Sequence, residues 1–204
     1  MEALTELLSA RNGHFRLESG HHGDLWLDLE LLFLRPSRLR RFVDELAERI
    51  SRHNAEAVCG PLSGGALLAQ MLADRLDLEF YYSVQATHPQ NTALYSVQYE
   101  IPAALWGHVV GKRIAIVDDV INAGSAVRGT FAALENCGAK PVSIAALLVL
   151  GTSAASFAAE QHVPLEGIAC LSNRIWAPSE CPLCAAGMPL QSVASPHVAK
   201  SETN

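Results

Sequence analysis

The residues Ile114, Ala115, Ile116 and Val117 are apolar without a break and run straight into Asp118 and Asp119. A strand with one wet face alternates apolar and polar residues. An unbroken apolar run instead fits a strand covered on both faces, as in a parallel sheet with helices on either side. Ligands of such sheets bind beyond the carboxyl ends of the strands, and the two acids are expected there, just after a strand over 113–117. Asn122, Ala123, Gly124, Ser125 and Ala126 follow. They are small enough for backbone N–H groups to close around an anion, and 126–136 reads as a helix whose positive end faces it. A strand end capped by Asp before a helix is the plainer reading of the same residues.

Carboxylates beside a phosphate cradle repel a second phosphate but accept hydrogen bonds from a vicinal diol. A ribose 5-phosphate satisfies both halves. A second small-residue turn, Gly60-Pro61-Leu62-Ser63-Gly64-Gly65, follows an expected strand over 57–59 and opens an expected helix over 64–76. Its Leu62, Ser63, Gly64 and Gly65 backbone suits pyrophosphate, although a Gly-rich turn alone is also an ordinary strand-to-helix link. Further strands at 80–84, 142–150 and 168–171 and a helix at 152–161 complete the alternation of a parallel α/β sheet flanked by helices. Right-handed crossovers bring the two loops to one edge of that sheet.

Length and charge narrow the partners. A chain of 204 residues holds one sizeable core, and half of its residues are hydrophobic. The formal net charge of -6 argues against a nucleic-acid backbone, which needs a basic face. Arg35, Arg38, Arg40 and Arg41 cluster, but Asp44, Glu45 and Glu48 follow on the same expected helix, so a solvated face explains them. The uncharged stretch 141–159 is interrupted by Gly151, Thr152, Ser153 and Ser156 and reads as strand then helix, not a membrane span. Without a signal-peptide pattern, and with five cysteines in no framework spacing, the expected location is cytoplasmic.

The order apolar run, two acids, two apolar residues and small loop resembles the type I phosphoribosyltransferases. The likeness extends to their orotate phosphoribosyltransferase branch through Phe15-Arg16-Leu17-Glu18-Ser19-Gly20, Gly60 to Gly65, and Asp118 to Ala126, and covers about residues 10–175. The resemblance implies a central parallel sheet flanked by helices with a small N-terminal flap, or hood. It divides the chain into a flap and helix at 1–35, a core at 36–175 and an irregular tail at 176–204. It implies transfer of the 5-phosphoribosyl group from 5-phosphoribosyl 1-diphosphate to a base, in pyrimidine nucleotide biosynthesis, by a homodimer. Mg2+ would be held by substrate oxygens and water, with no protein side chain assigned to metal. Asp118 and Asp119 would be catalytic, gripping the ribose hydroxyls. Residues 122–126 would bind the 5-phosphate, and 62–65 the pyrophosphate through a cis peptide at Leu62-Ser63. Ser19, Gly20, Trp26 and Gly151 are the candidates for the base.

The departures from that branch are equally specific. Its members place Lys just before Ser-Gly and another in the pyrophosphate loop, where Glu18 and Gly64 stand here, and Asn122 replaces a Thr or small residue. Residues 84–110, where the branch carries a cationic loop reaching into the neighbouring subunit, contain no Lys or Arg, only His88 and His108. The Arg that pairs with the orotate carboxylate is replaced by Leu150-Gly151-Thr152. Each lost charge-assisted contact costs about 1.5 to 3 kcal/mol, which points to weak orotate turnover, another acceptor, or a non-catalytic sensor of the phosphoribosyl donor acting through a protein partner.

Other signals are weaker. Residues 2–11 read as a short helix, with flap strands at 14–17 and 25–29 and a turn at Ser19-Gly20. Pro36 sits where a first helical turn tolerates it, and Leu39, Phe42, Val43, Leu46, Ala47 and Ile50 recur at helical spacing. A strand is allowed at 95–99, and Pro102, Gly107 and Gly111 suggest a mobile connection over 100–111. Cys181-Pro-Leu-Cys184 is half a zinc site or a redox pair without a second pair, which His197 or another chain would have to complete; a packed tail turn is the simpler reading. His14, His21 and His22 read as surface residues of the flap. Trp26 and Phe33 suit either a base-stacking wall or a core. Ser63 lacks the surroundings of a hydrolase nucleophile.

Overall fold

The computed structural model describes residues 4–8, 10–17, 20–86 and 98–192. Helix α1 is Leu4–Leu7, followed by strands β1 (Arg11–Arg16) and β2 (His22–Trp26). Then come α2 (Arg40–Ser51), β3 (Ala57–Pro61), α3 (Gly64–Leu76), β4 (Glu79–Gln85), β5 (Tyr99–Glu100) and α4 (Trp106–Val109). The chain continues through β6 (Arg113–Ile121), α5 (Ser125–Asn136), β7 (Lys140–Leu150), α6 (Ser153–Glu160) and β8 (Leu165–Leu171). Last are β9 (Ile175–Trp176), α7 (Pro182–Ala185) and β10 (Gln191–Ser192).

These elements form two compact units. Met1–Leu8 and Leu29–Ser172 make the larger, Ser9–Asp28 and Asn173–Asn204 the smaller. The larger holds a six-stranded sheet in the order β5-β4-β3-β6-β7-β8, parallel throughout except for β5. The chain moves outward from β3 to β4 and then returns past β3 to lay down β6. The sheet therefore reverses direction between β3 and β6, which is where an open α/β sheet binds its ligand. Strand period puts Cys59, Tyr81, Ile114, Ile116, Ile144 and Ala146 on one face, packed with Val127, Phe131 and Leu134 of α5 and Phe157 of α6. Phe131 and Phe157 meet edge to face at 5.5 Å. Val58, Ala115, Val117, Ala145 and Leu147, also buried, turn to the opposite face, where α2 and α3 lie.

Helix α2 has the expected stripe, with Phe42, Val43, Leu46, Ala47 and Ile50 buried. Full burial of a side chain such as Leu46 contributes about 1.5–3 kcal/mol. Its outer face carries the exposed pairs Glu45–Arg49 and Glu48–Arg52, as a solvated face should. Pro36 does not open this helix; it opens a separate 3-10 turn at Pro36–Arg38. The connection over 100–111 contains a 3-10 turn at Ala103–Leu105 and α4, so Pro102 and Gly111 bound helical turns there while Gly107 lies inside α4. The part of the expected strand over 95–97 lies outside the described residues.

In the smaller unit, residues 10–17, 20–28 and 173–192 are described, and the strand order is β10-β1-β2-β9. Strands β1 and β2 are antiparallel with a register shift between Asn12 and Phe15. Strand β9 adds antiparallel to β2, and β10 parallel to β1. The described tail is therefore not irregular: it supplies both edges of this sheet. Two further expectations change. The first helix is one turn, with Arg11 already in a strand, because no apolar stripe continues past Leu8. His14 and His22 are buried rather than superficial.

Candidate active site

Strand β6 pairs with β3 only as far as Ile116↔Cys59, whereas its pairing with β7 runs on to Ile121↔Val149. Past Ile116 the two central strands part, and Asp118 and Asp119 stand at the opening. They lie inside β6, not after it: Asp118 sits opposite Ala146, still within the ladder to β7. The apolar run marked the doubly covered part of the strand, and the strand outlasts its neighbour by several residues.

Both acids are buried, at 8% and 7% exposure. Asp118 Oδ1 accepts the Asp119 N–H at 3.1 Å, and Asp119 Oδ1 accepts the Val120 N–H at 2.9 Å. Burial pushes the Asp118 carboxyl well above the usual carboxylate range, and the adjoining Asp119 charge adds to the effect. Burial likewise raises Asp119, against the pull of the Val120 amide. Among the described residues, no positive side chain contributes at either carboxyl. The pair is an acceptor-rich surface awaiting hydroxyl donors or a cation.

The turn after β3 closes directly on these acids. A Cβ on Gly64 would fall 2.2 Å from Asp119 Oδ2, and one on Gly65 would fall 2.7 Å from Asp118 Oδ1. Only residues without side chains admit the carboxylates so close. Gly60 is equally constrained, since its Cβ would meet the Gly65 carbonyl oxygen at 2.1 Å. The Leu62–Ser63 peptide is cis, and the Leu62 N–H donates to Ser83 O at 2.9 Å. Within α3 the first helical bond runs from Leu67 N–H to Ser63 O, so the amides of Gly64, Gly65 and Ala66 have no acceptor inside the helix. The 62–65 turn and the acids thus share one edge of the sheet.

Residues 122–126 take the expected place after β6. Asn122 and Ala123 form a bend, Gly124 adopts φ +82 and ψ 15, and α5 starts at Ser125 without a side-chain cap. The left-handed turn at Gly124 is cheap only without a Cβ. The first helical bond is Arg128 N–H to Gly124 O at 2.9 Å, so the amides of Ala126 and Val127 have no acceptor inside the helix. One carboxylate pair, flanked by two helix starts at neighbouring strand ends, is the whole arrangement. It can hold two anionic groups with a hydroxylated linker between.

The base candidates divide differently. Gly151 follows β7 at φ +64, and its N–H is committed to Leu171 O at 2.9 Å, so it offers no backbone donor. Gly20 and Trp26 belong to the smaller unit. Gly20 makes a turn at φ +79 with its N–H on Leu17 O. The Trp26 ring lies 6.0 Å from Phe15 and its Nε1–H donates to Asp28 Oδ1. Ser19, Glu18 and His88 lie outside the described residues. One cation the sequence reading passed over is Arg128, whose guanidinium lies over Phe157 and reaches Ser153 O at 3.4 Å, beside the turn that carries Gly151. Its place in the first turn of α5 was the available signal.

A parallel sheet with twin acids at its switch point and paired amide cradles defines a phosphoribosyl-transfer fold, and residues 37–183 match the phosphoribosyl transferase domain family. The chain belongs to that family. It is similar to the orotate phosphoribosyltransferase of Caldanaerobacter subterraneus subsp. tengcongensis, 27% identical over 190 residues that cover 93% of each chain. The orotate phosphoribosyltransferase of Thermotoga maritima is 26% identical over 192 residues, 93% of this chain and 94% of that one. Among solved structures, orotate phosphoribosyltransferase from Aeropyrum pernix aligns with a TM-score of 0.63 and 26% identity over 80% of this chain and 88% of that one. Adenine phosphoribosyltransferase from Rhodothermus marinus shares the fold, with a TM-score of 0.65 at 22% identity over 82% and 96% of the two chains.

Proposed function

We propose that the chain transfers a 5-phosphoribosyl group from 5-phosphoribosyl 1-diphosphate to a nitrogenous base, in the orotate-like branch of the family. The observation that carries this is the contact of Gly64 and Gly65 with Asp119 and Asp118, which puts a diol acceptor against an amide-lined turn. The carboxylates accept the ribose 2- and 3-hydroxyls, and the α5 amides receive the 5-phosphate. The α3 amides receive the pyrophosphate. A ring nitrogen of the base then forms its bond to the anomeric carbon as the carbon–oxygen bond to pyrophosphate breaks. Positive charge on the ribose in the transition state is stabilised by the adjacent carboxylates.

The donor set fits Mg2+, since hard carboxylate oxygens adjoin a loop that would present phosphate oxygens and leave room for water. The ion would offset the charge of the leaving pyrophosphate. Asp118 and Asp119 would be the residues facing its water shell. We also propose a homodimer, which light scattering on the purified chain would test, and a cytoplasmic location. No described helix is long and apolar enough to cross a membrane.

The test is direct. Purified chain supplied with 5-phosphoribosyl 1-diphosphate, Mg2+ and a panel of pyrimidine and purine bases should release pyrophosphate with at least one of them. Silence across the panel would falsify the catalytic reading. The absence of Lys and Arg from 84–110 supports a second reading, a sensor that binds the donor and acts through a protein partner. Micromolar binding of the donor without turnover would favour it, and no binding would remove both.

A further inference from the structure

His14, His22, Cys181 and Cys184 come from segments far apart in sequence, and their ligating atoms all lie within 4.8 Å of one another. We propose that these four side chains form a tetrahedral zinc site that holds the smaller unit together. Neither the phosphoribosyl chemistry nor its substrates enter this proposal.

The distances have the right size. Zinc bonds of about 2.05 Å to nitrogen and about 2.3 Å to sulfur, at tetrahedral angles, put two nitrogens about 3.3 Å apart and a nitrogen and a sulfur about 3.6 Å apart. His14 Nε2 and His22 Nδ1 are 3.1 Å apart. Cys181 Sγ is 3.4 Å and Cys184 Sγ 3.7 Å from His14 Nε2, and Cys184 Sγ is 3.3 Å from His22 Nδ1. These are four of the six edges of a ligand tetrahedron, and the other two lie within the same 4.8 Å limit.

The surroundings prepare the ligands. His14 Nδ1 lies 2.8 Å from the Met188 carbonyl oxygen, which can only accept, so Nδ1 carries the hydrogen and Nε2 turns its lone pair into the cluster. A metal-bound histidine is oriented by this same kind of bond. The helical turn α7, opened by Pro182 with Ala185 N–H on Cys181 O, brings cysteines three apart to one side. Opposite, the register shift in the β1–β2 pair brings His14 and His22 to one place. All five cysteines are free thiols. His14, His22 and Cys181 are buried, while Cys184 is exposed and leaves a path for an ion.

The smaller unit has little else to hold it. Among its described residues, those buried are His14, Phe15, His22, Gly23 and Cys181. Units of this size lack the apolar core to fold without a metal or cross-links, and here most of the buried side chains are ligands. Two imidazoles and two thiolates in a tetrahedron select zinc over hard cations. His197 lies outside the described residues, and the four ligands are complete without it.

The test uses the 204-residue chain. Protein purified without chelator should carry a stoichiometric amount of zinc, and X-ray absorption at the zinc edge should read two sulfurs at about 2.3 Å and two nitrogens at about 2.0–2.1 Å. After chelation, added Co2+ should give tetrahedral visible bands and a thiolate charge-transfer band that saturate at one equivalent. Cys181→Ser, Cys184→Ser, His14→Ala and His22→Ala should each lose the stoichiometric metal, and Cys170→Ser should keep it. Because the absorption and cobalt measurements use the unaltered chain, a variant that fails to fold does not blur the result. The proposal is overturned by an unaltered chain that binds neither ion, by a Cys181–Cys184 disulfide in freshly purified protein, or by metal that survives His14→Ala and is lost in His197→Ala. None of these readouts needs transferase activity.

Discussion

Asp118 and Asp119 set function against stability. Burial raises both carboxyls, so between the ordinary carboxylate range and their higher folded values the native state binds more protons than the unfolded one. Their contribution therefore weakens native stability as pH rises through that window. Asp118→Asn removes the charge, and its free protein should melt higher than the parent at neutral pH, by about 2–4 °C for each kcal/mol recovered. The gain should vanish at acid pH. Melting curves across pH check this; a neutral-pH midpoint below the parent's would contradict it. In activity the change runs the other way: Asp118→Asn with Asp119→Asn should cut pyrophosphate release by at least about 100-fold. The two acids were legible in the sequence because adjacent carboxylates after an apolar strand, followed at once by a small-residue loop, fit a binding edge. Their position inside β6 was not, since where β3 stops is decided by pairing, which one strand's residues cannot report.

At the level of elements, the loop after β3 separates two kinds of glycine. Gly60→Ala drives a Cβ into the Gly65 backbone, which cannot step aside, and should destabilise the chain by about 1–3 kcal/mol in denaturant titration. Gly64→Ala meets a carboxylate instead. It should cost less stability but displace Asp119, so donor affinity measured by calorimetry should fall. The T-shaped pair of Phe131 and Phe157 ties α5 to α6, and Phe131→Ala should cost about 3–5 kcal/mol of unfolding free energy. The larger sheet and its helices were readable from apolar runs, turn residues and the stripe on α2, with α5 beginning at Ser125, one residue before the expected 126. The 3-10 turn at Pro36, the one-turn α1 and the short helix α4 were not. Each is a few residues long, below the length at which spacing distinguishes one period from another.

For the molecule as a whole, the division into two units is the feature least available to a sequence reading. Flap and tail read as separate appendages because each is short, polar and rich in turn residues, yet β9 and β10 pair with β2 and β1. Long-range pairing between short strands leaves no local signature. The histidines were misread for the same reason: a polar side chain in a short strand looks superficial until its partners from the far end of the chain are known. If zinc closes the smaller unit, chelator-treated protein should be cut by a low dose of protease within residues 173–192 while the larger unit survives. Mass spectrometry of the fragments checks this, with added zinc restoring protection.

That sheet also orders events during synthesis. Strands β1 and β2 emerge from the ribosome first, but their neighbours β9 and β10 are translated only after Leu29–Ser172. At about 5–20 residues per second, the early hairpin waits many seconds with both edges exposed while the larger sheet is translated. A nascent chain arrested before Ile175 can complete the transferase core and still present an unpaired hairpin to whatever chaperone is at hand.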